Sequence, residues 1–240
     1  MNKDIQYAIK NICKGHVSDR FSFYPGSFPE DYFADDFRLI ESRDDFTFVE
    51  THLRGIAMQT TEIGVDGGNY SRKIINALSP VLHYCIDPYK KYDHPHSHSW
   101  PQEEIDKLYS NLVNNIFEKE IKNGSVKILK KISSEGIKEI PDDCIDFMYI
   151  DGNHWFEYVS DDLFNSLRVI KKDGIIAGHD FYGDVPAAVY LFCKKTDFKL
   201  RALSLDKLND NELCPSFYLT RLNRHSSHPL KQVGFLAGII

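Results

Sequence analysis

Four side chains that can move protons or bind metals occur in two short segments of the sequence. "YIDGNHWF" contains Asp151 and His154, and "AGHDFYG" contains His179 and Asp180. Each segment follows an apolar run typical of a buried strand. If these two strands are neighbours in a parallel sheet, their carboxyl ends bring all four side chains to one place. We therefore predict a catalytic group of Asp151, His154, His179 and Asp180.

Carboxylates and imidazoles at one place support two kinds of chemistry. An imidazole with an ordinary pKa near ~6.5 accepts protons at neutral pH, so His154 is a candidate general base. A carboxylate-rich group also suits Mg²⁺, and its imidazoles admit Mn²⁺, Fe²⁺ or Zn²⁺. The predicted metal ligands are Asp151, His179 and Asp180. Histidine catalysis without a metal and a purely structural role at the strand ends both stay open.

Strand-like and helix-like runs alternate from residue 56 onwards. The predicted strands are "IAMQTTEIG", "VLHYCID", "SVKILK", "CIDFMYID" and "GIIAGHD". Helix-like runs between them predict an α/β fold with right-handed βαβ units and a parallel sheet. The runs "FKLRALSL" and "SFYLTRL" predict a closing antiparallel pair. On the helix-like run "WFEYVSDDLFNSLRVI", Asp161 and Asp162 are predicted to face solvent.

Residues 1–55 precede this regular pattern. Helical spacing in "KDIQYAIKNICK" and capping aspartates before "TFVETHL" predict an accessory segment that is helical and rich in aromatic residues. Residues 56–225 are the predicted ligand-binding domain, and residues 226–240 form a C-terminal tail. His94 to His98, in "YKKYDHPHSHSWP", are predicted to lie in a surface loop or a substrate lid.

The composition excludes several classes of partner. The 240 residues have a net charge of −6, which does not favour a nucleic acid. No apolar run approaches the ~20 residues that span a bilayer, and the N-terminus lacks the apolar core of a signal peptide. We expect a cytoplasmic protein without membrane contact. The five cysteines contain no C-x-x-C pair, so neither a disulfide framework nor a structural zinc site is expected.

A glycine-rich turn, "TTEIGVDGGNYS", follows the first predicted strand of the regular pattern. A nicotinamide dinucleotide fold requires G-x-G-x-x-G, but Asp66 occupies the second glycine position, where its charge opposes a pyrophosphate. The Gly-Lys-Ser/Thr of a Walker loop is also missing. Asp87 ends the next strand, where an acid can accept hydrogen bonds from both hydroxyls of a ribose. This pattern favours a cationic, hydroxylated ligand that is not held by phosphate.

Four segments together resemble the class I S-adenosylmethionine-dependent methyltransferases, and most closely the small-molecule branch called methyltransferase domain family 24. They are "EIGVDGGNYS", "CIDPY", "DFMYIDGNHWFEYVSDDL" and "GIIAGHDFYG", within residues 56–200. The resemblance implies a Rossmann-like three-layer sandwich. It implies a seven-stranded, mostly parallel sheet whose last strand is antiparallel, here preceded by the N-terminal helical segment. S-Adenosylmethionine is then the expected cofactor.

The resemblance also implies which residues bind the cofactor. The methionyl end would lie against Glu62, Gly64 and Gly68. The ribose would bind Asp87, and Ser134 and Glu135 would flank the adenosine. Asp151 is a further predicted cofactor-binding residue. Each residue has a structural alternative, because the glycines also suit a tight turn. Asp87 also suits a cap for the loop before Pro88, and the serine segment suits an ordinary helix start.

Metal-dependent O-methyltransferases of the catechol and macrolide-sugar types look similar at the strand ends. They have an Asp after the fourth strand and an acidic or amide pair after the fifth. Their general base lies three residues beyond that Asp, which is the place of His154. This sequence departs from their pattern at His179, which stands where they have an acid and lowers the charge available to a hard cation.

We therefore expect an enzyme that moves a methyl group from S-adenosylmethionine to a small molecule, with or without a divalent cation. The resemblance favours a hydroxyl of a sugar or polyol, and catechol, amine and carboxylate acceptors stay open. One alternative is a nucleotide-linked oxidoreductase or sugar-modifying enzyme on the same fold. Another is a non-catalytic module that binds the cofactor. Pairing of two chains through the N-terminal helices is a further expectation.

Overall fold

The structure is a computed structural model that describes residues 32–53, 57–91, 100–209 and 212–221, with backbone only at 207–209 and 212–213. Residues 1–31, the tail 226–240 and the His94–His98 loop, for which the sequence makes predictions, lie outside the described residues. Within the described part, no helix combines the length and apolar character that crossing a membrane requires.

Ten strands are described, and eight of them form one sheet. In chain order they are β1 (Phe33–Ile40), β2 (Gln59–Ile63), β3 (Leu82–Ile86), β4 (Val126–Leu129), β5 (Ile145–Ile150), β6 (Ile170–Gly178), β7 (Phe198–Ser204), β8 (Lys207–Asn209), β9 (Glu212–Leu213) and β10 (Phe217–Arg221). Strands β8 and β9 pair separately as a short hairpin.

Seven α-helices connect these strands. They are α1 (Thr47–Leu53), α2 (Asn69–Leu78), α3 (Gln102–Asn111), α4 (Glu118–Asn123), α5 (Ser133–Gly136), α6 (Phe156–Val169) and α7 (Val185–Lys195). A π-helical turn, Leu112–Ile116, joins α3 to α4, and a 3₁₀ turn, Ile137–Glu139, follows α5. The predicted alternation of strands and helices is confirmed.

The large sheet has the order β1-β7-β10-β6-β5-β2-β3-β4. Strand β10 runs antiparallel to both of its neighbours, β6 and β7, and the other pairs in the sheet are parallel. The mostly parallel sheet with an antiparallel last strand is therefore confirmed. Strand order reverses between β2 and β5, which is where an open α/β sheet binds its ligand.

The sheet has eight strands rather than seven, because the N-terminal segment supplies β1. That segment was predicted to be helical, and its described part contains both a strand and the short helix α1. Phe33, Phe37 and Ile40 are buried at intervals that suit a helix. The register against β7 shifts between Phe33 and Arg38, so this strand bulges and loses the two-residue alternation that identifies strands.

Both faces of the sheet are covered by helices, which gives the predicted three layers. On β5, Met148 and Ile150 pack with α6 and α7, whereas Phe147 and Tyr149 pack with α1 and α2. All six residues of β5 are buried. A central strand that is apolar on both sides is typical of a parallel sheet, and it gives the carboxyl end of β5 a rigid support.

Candidate active site at the strand ends

The carboxyl ends of the central strands are level with one another. Backbone hydrogen bonds continue one residue beyond each strand: Asp151 N–H donates to Ile63 O at 2.8 Å, and His179 N–H donates to Ile150 O at 2.9 Å. Gly64 N–H donates to Ile86 O at 2.9 Å in the same way. The first residues after β2, β5 and β6 therefore lie side by side on one edge.

Asp151, His154, His179 and Asp180 lie together on this edge, and we call them the strand-end cluster. His154 Nε2 is 3.4 Å from Asp151 Oδ1 and 3.0 Å from Asp180 Oδ2. His179 Nδ1 is 3.6 Å from Asp151 Oδ1 and 3.0 Å from Asp180 Oδ1. Strands β5 and β6 are neighbours, so the four predicted catalytic residues meet at one site.

The two carboxylates and the two imidazoles shift one another's pKa values in opposite directions. Burial opposes charge on Asp151, but the imidazoles of His154 and His179 at 3.4 and 3.6 Å lower its pKa well below the ordinary value. Burial also opposes charge on His179, but the neighbouring carboxylates of Asp151 and Asp180 raise its pKa to about 11. The cluster without a metal therefore pairs anionic carboxylates with a protonated His179.

His154 shows the same effect, which changes its expected behaviour as a base. Burial lowers the pKa of His154, but the neighbouring carboxylates of Asp151 and Asp180 raise it above the ordinary value. The ordinary pKa assumed from the sequence is therefore wrong for this site without a metal. His154 keeps its proton to higher pH than an isolated imidazole does.

Asp180 has an unusual backbone and a cysteine neighbour. Its φ is +51°, in the left-handed region that costs a non-glycine residue about 1–3 kcal/mol. Cys214 Sγ lies 2.6 Å from Asp180 Oδ1 and 3.7 Å from His179 Nε2. Sequence reasoning missed Cys214, although the predicted antiparallel strand "SFYLTRL" begins two residues after it.

Arg43, in the loop between β1 and α1, also reaches the cluster. Its Nη1 is 3.4 Å from Asp151 Oδ2 and 3.3 Å from the Tyr149 hydroxyl, and its guanidinium lies over the Tyr70 ring at 4.7 Å. The Arg43 N–H donates to Asp206 at 2.8 Å, which fixes the loop. No pattern in the sequence pointed to Arg43, because Tyr149, Asp151 and Asp206, which it contacts, are each more than a hundred positions away along the chain.

The glycine turn approaches β5 so closely that its first glycine has no room for a side chain. Gly64 has a φ of +81°, and a Cβ there would lie 2.1 Å from the Asp151 carbonyl oxygen. Gly68 has a φ of +78°, and a Cβ there would lie 2.3 Å from Leu112. Both glycines are therefore needed for the turn itself. The turn also places backbone beside Asp151, at the switch point.

Asp87 binds the glycine turn through its own carboxylate. Its Oδ2 accepts hydrogen bonds from the backbone of Val65 and Asp66 at 3.0 and 3.1 Å, and its Oδ1 accepts one from Tyr89 at 2.8 Å. Burial raises the pKa of this carboxyl, although the three bonds oppose the rise. A carboxylate offers about four acceptor positions, so about one stays available to a ligand.

Glu62 lies beneath the turn rather than on its open side. The side chain is 1% exposed, and its Oε2 accepts a hydrogen bond from Ser71 at the start of α2. Burial raises the pKa of Glu62 well above its ordinary value. Ser71 Oγ is also 3.0 Å from His83 Nε2, and burial lowers the pKa of His83 to about 3, so that ring is neutral. Ser71 therefore connects the buried Glu62 carboxyl to the start of α2, next to the glycine turn.

The predicted adenosine residues lie further along the same edge. Ser134 and Glu135 are the second and third residues of α5, which follows β4, and strands β2 and β3 separate β4 from β5. Ser133 instead bonds Asp162 of α6. The prediction that Asp162 faces solvent is wrong, because this side chain is 3% exposed, and burial raises its pKa to about 7. Asp161 is exposed as predicted.

A protein family described as "Methyltransferase domain" matches residues 61–181, slightly more than half of the chain. The match includes the glycine turn, Asp87 and all of the strand-end cluster, but neither Arg43 nor Cys214. No curated protein matches this chain.

Solved structures with the same fold are only distantly similar in sequence. An rRNA methylase from Streptococcus thermophilus has a TM-score of 0.52 and 11% identity, with 76% of this chain and 99% of that chain covered. A protein from Corynebacterium glutamicum has a TM-score of 0.50 and 11% identity, with 76% of this chain and 81% of that chain covered. At this identity the likeness establishes the fold alone.

Proposed function

This chain belongs to the Methyltransferase domain family, and from that premise we propose that it transfers the methyl group of S-adenosylmethionine to a hydroxyl of a small molecule. The methyl donor follows from the family. The hydroxyl acceptor is supported by one observation above all: at the switch point, each of two imidazoles lies 3.0 to 3.6 Å from both of two carboxylates. An acceptor that must lose a proton needs such a group, whereas a stronger nucleophile does not.

The cofactor would lie across the glycine turn. Gly64 and Gly68 carry no side chain at the two ends of the turn, and the turn lies against Asp151, which suits a methionyl end bound beside that residue. The free acceptor position of Asp87 suits one ribose hydroxyl. Glu62 would act as a positioning residue through Ser71. The assignment of Ser134 and Glu135 to the adenosine rests on the resemblance and on their place at the same edge.

His154 is the proposed base for the acceptor hydroxyl, and its neighbours set the pH at which it can act. Because Asp151 and Asp180 hold a proton on His154, their negative charge must be offset before it is a base near neutral pH. The cluster suits a divalent cation, and its nitrogen donors fit a transition metal better than Mg²⁺. A cation bound there would supply that offset and lower the pKa of a bound hydroxyl.

The acceptor is proposed to be a sugar or polyol, in keeping with the resemblance of the strand-end segments. The rRNA methylase with the same fold acts on RNA by its name. For this chain the net charge of −6 does not favour a polyanion. The family match favours methyl transfer over the oxidoreductase and sugar-modifying alternatives. The charge of Asp66 in the glycine turn also argues against a nucleotide-linked enzyme, because it opposes a pyrophosphate there.

The test has two steps. Calorimetry with S-adenosylhomocysteine checks the cofactor site, and transfer of labelled methyl groups to panels of polyols, catechols and amines checks the acceptor. We expect labelled product from hydroxyl acceptors, and Asp180→Asn should reduce kcat at least 100-fold because it weakens the cluster that deprotonates the hydroxyl.

Asp161→Asn is the matched control, since it makes the same substitution at an exposed site on α6 and should leave kcat unchanged. Full activity of Asp180→Asn, or product from amines alone, would show that the proposed hydroxyl chemistry is wrong. Absence of cofactor binding would reject the methyl donor as well.

A further inference from the structure

Cys214 is the one cysteine in the described part of the chain that joins a group able to hold a metal ion. The described cysteines are Cys85, Cys144, Cys193 and Cys214, and all are free thiols. Cys214 lies with His179 and Asp180 in a group whose ligand atoms are all within 4.8 Å of one another. Its side chain is buried, at 3% exposure.

The fold holds this thiol in place from both sides. Because β10 runs antiparallel to β6, with Phe217 opposite Gly178, the residues before β10 lie beside the residues after β6. Phe181 N–H donates to Pro215 O at 2.9 Å, and Cys214 N–H donates to Asp206 O at 2.7 Å. The sulfur is therefore positioned by backbone hydrogen bonds.

Asp180 connects the thiol to the rest of the strand-end cluster. Its Oδ1 faces Cys214 and His179, and its Oδ2 faces His154 at 3.0 Å. Asp151, His154 and Asp180 make up a second group with metal-binding geometry, so the two groups share one carboxylate. Together they offer oxygen, nitrogen and sulfur donors in one place.

The donor types indicate which cation the site prefers. Mg²⁺ takes oxygen ligands in a near-octahedral shell and has little affinity for sulfur. Thiolate and imidazole are ligands of Zn²⁺ and other transition metals. A tetrahedral ion with bonds of about 2.0–2.3 Å separates its donors by roughly 3.3–3.8 Å. The 3.7 Å between Cys214 Sγ and His179 Nε2 matches that spacing.

We propose that His179, Asp180 and Cys214 bind a thiophilic divalent metal, with Zn²⁺ as the type ion, in preference to Mg²⁺. The Cys214 S–H proton is released to solvent as the metal–sulfur bond forms. The 2.6 Å contact between the sulfur and Asp180 Oδ1 then widens by about 1 Å to admit the ion. Solvent completes the coordination. The proposal deepens the proposed function, because this metal would lie beside His154.

Cobalt substitution tests the sulfur ligand directly, without an activity assay. The full-length protein is stripped with a chelator and loaded with Co²⁺, which takes the place of Zn²⁺ and is visible by absorption. Wild type should show both ligand-field bands and a sulfur-to-cobalt charge-transfer band. In Cys214→Ser the charge-transfer band should disappear. Cys144→Ser, the matched control at a partly buried thiol outside the group, should keep it.

Calorimetry with the metals alone provides the second measurement. Wild type should bind Zn²⁺ at least 100-fold more tightly than Mg²⁺, and Cys214→Ser should weaken Zn²⁺ binding at least 10-fold. Equal charge-transfer bands in wild type and Cys214→Ser would overturn the proposal, and so would equal affinities for Zn²⁺ and Mg²⁺. Thermal melts of each variant confirm that it is folded.

Binding of S-adenosylhomocysteine, measured on the same samples, separates the two proposals. A cobalt–sulfur band without cofactor binding would remove the proposed function and leave the metal site in place. Cofactor binding without any cobalt–sulfur band would remove the metal site alone.

Discussion

Gly64→Ala should damage both the stability of the protein and its cofactor site, because the turn meets β5 at this glycine. Two costs add at this position. A φ of +81° costs an L-residue about 1–2 kcal/mol. The new Cβ would also lie 2.1 Å from the Asp151 carbonyl oxygen and 2.7 Å from Gly152 Cα. Both contacts are with backbone, so β5 or the turn must move.

The second cost can be isolated because the chain contains a matched glycine. Gly124 has a φ of +80° but no atom within 4 Å of the position of its Cβ. Gly124→Ala should therefore lower the free energy of unfolding by about 1–2 kcal/mol, from backbone strain alone. Gly64→Ala adds an overpacking cost of about 1–3 kcal/mol, for a total of roughly 2–5 kcal/mol.

Urea unfolding and calorimetry with S-adenosylhomocysteine measure the two effects. A shift of about 1 Å at Asp151 should reduce cofactor affinity at least 10-fold in Gly64→Ala, whereas Gly124→Ala should bind like wild type. Equal unfolding free energies for the two variants, together with wild-type affinity in Gly64→Ala, would refute the argument that the turn depends on its close approach to Asp151.

Three further predictions concern acidic side chains. Asp87→Ala should lower the melting temperature and should weaken cofactor affinity at least 10-fold. Asp87→Asn keeps a hydrogen-bond acceptor for the turn and should weaken mainly cofactor affinity. Unchanged cofactor affinity in Asp87→Ala, measured by calorimetry, would reject the ribose role. Burial raises the Asp162 pKa from 3.8 to about 7, so the folded state keeps a proton that the unfolded chain loses, and stability falls as pH rises through that window. Asp162→Asn should then raise the unfolding free energy by up to about 4 kcal/mol at pH 8 and change it little at pH 4. Unfolding free energies of wild type and Asp162→Asn that change in parallel with pH would contradict this. In metal-free protein, NMR titration should give His154 a pKa above its ordinary value of 6.5, and Asp151→Asn should lower that pKa. An unchanged His154 pKa in Asp151→Asn would mean that Asp151 does not hold the proton.

The strand-end cluster could be predicted from sequence because two local signals determine it. Each of its members follows an apolar run, and consecutive strands in βαβ units often become neighbours. Asp151 and His179 are the first residues beyond β5 and β6. Their positions could therefore be predicted from the strand boundaries alone. The pKa values were beyond reach, because they depend on distances of 3.0 to 3.6 Å between side chains from different strands.

Strand β1 and Arg43 could not be predicted for a different reason. The spacing of buried residues in β1 suits a helix, and only its bulged pairing with β7 makes it a strand. Arg43 follows that strand, and its position depends on Asp206, 163 residues away. Similarly, Asp162 contacts Ser133 at the start of α5, and the periodicity of α6 alone carries no information about that neighbouring helix.

Cys214 is an intermediate case. The sequence predicts the antiparallel strand that follows this cysteine, and the position of the cysteine could have been inferred from that strand. An antiparallel strand beside a parallel one begins at the edge where its neighbour ends, so the residues that precede it belong to the same site. With β10 predicted as the antiparallel strand, the same reasoning would have placed Cys214 beside His179 and Asp180, but the predictions made from the sequence did not include that step. The same geometry explains why the site combines hard and soft donors. Its carboxylates and imidazoles follow parallel strands, whereas its sulfur comes from the chain entering β10 in the opposite direction. At the proposed metal site, the preference for one cation over another would therefore depend on Cys214, which lies outside residues 61–181 that the family match covers.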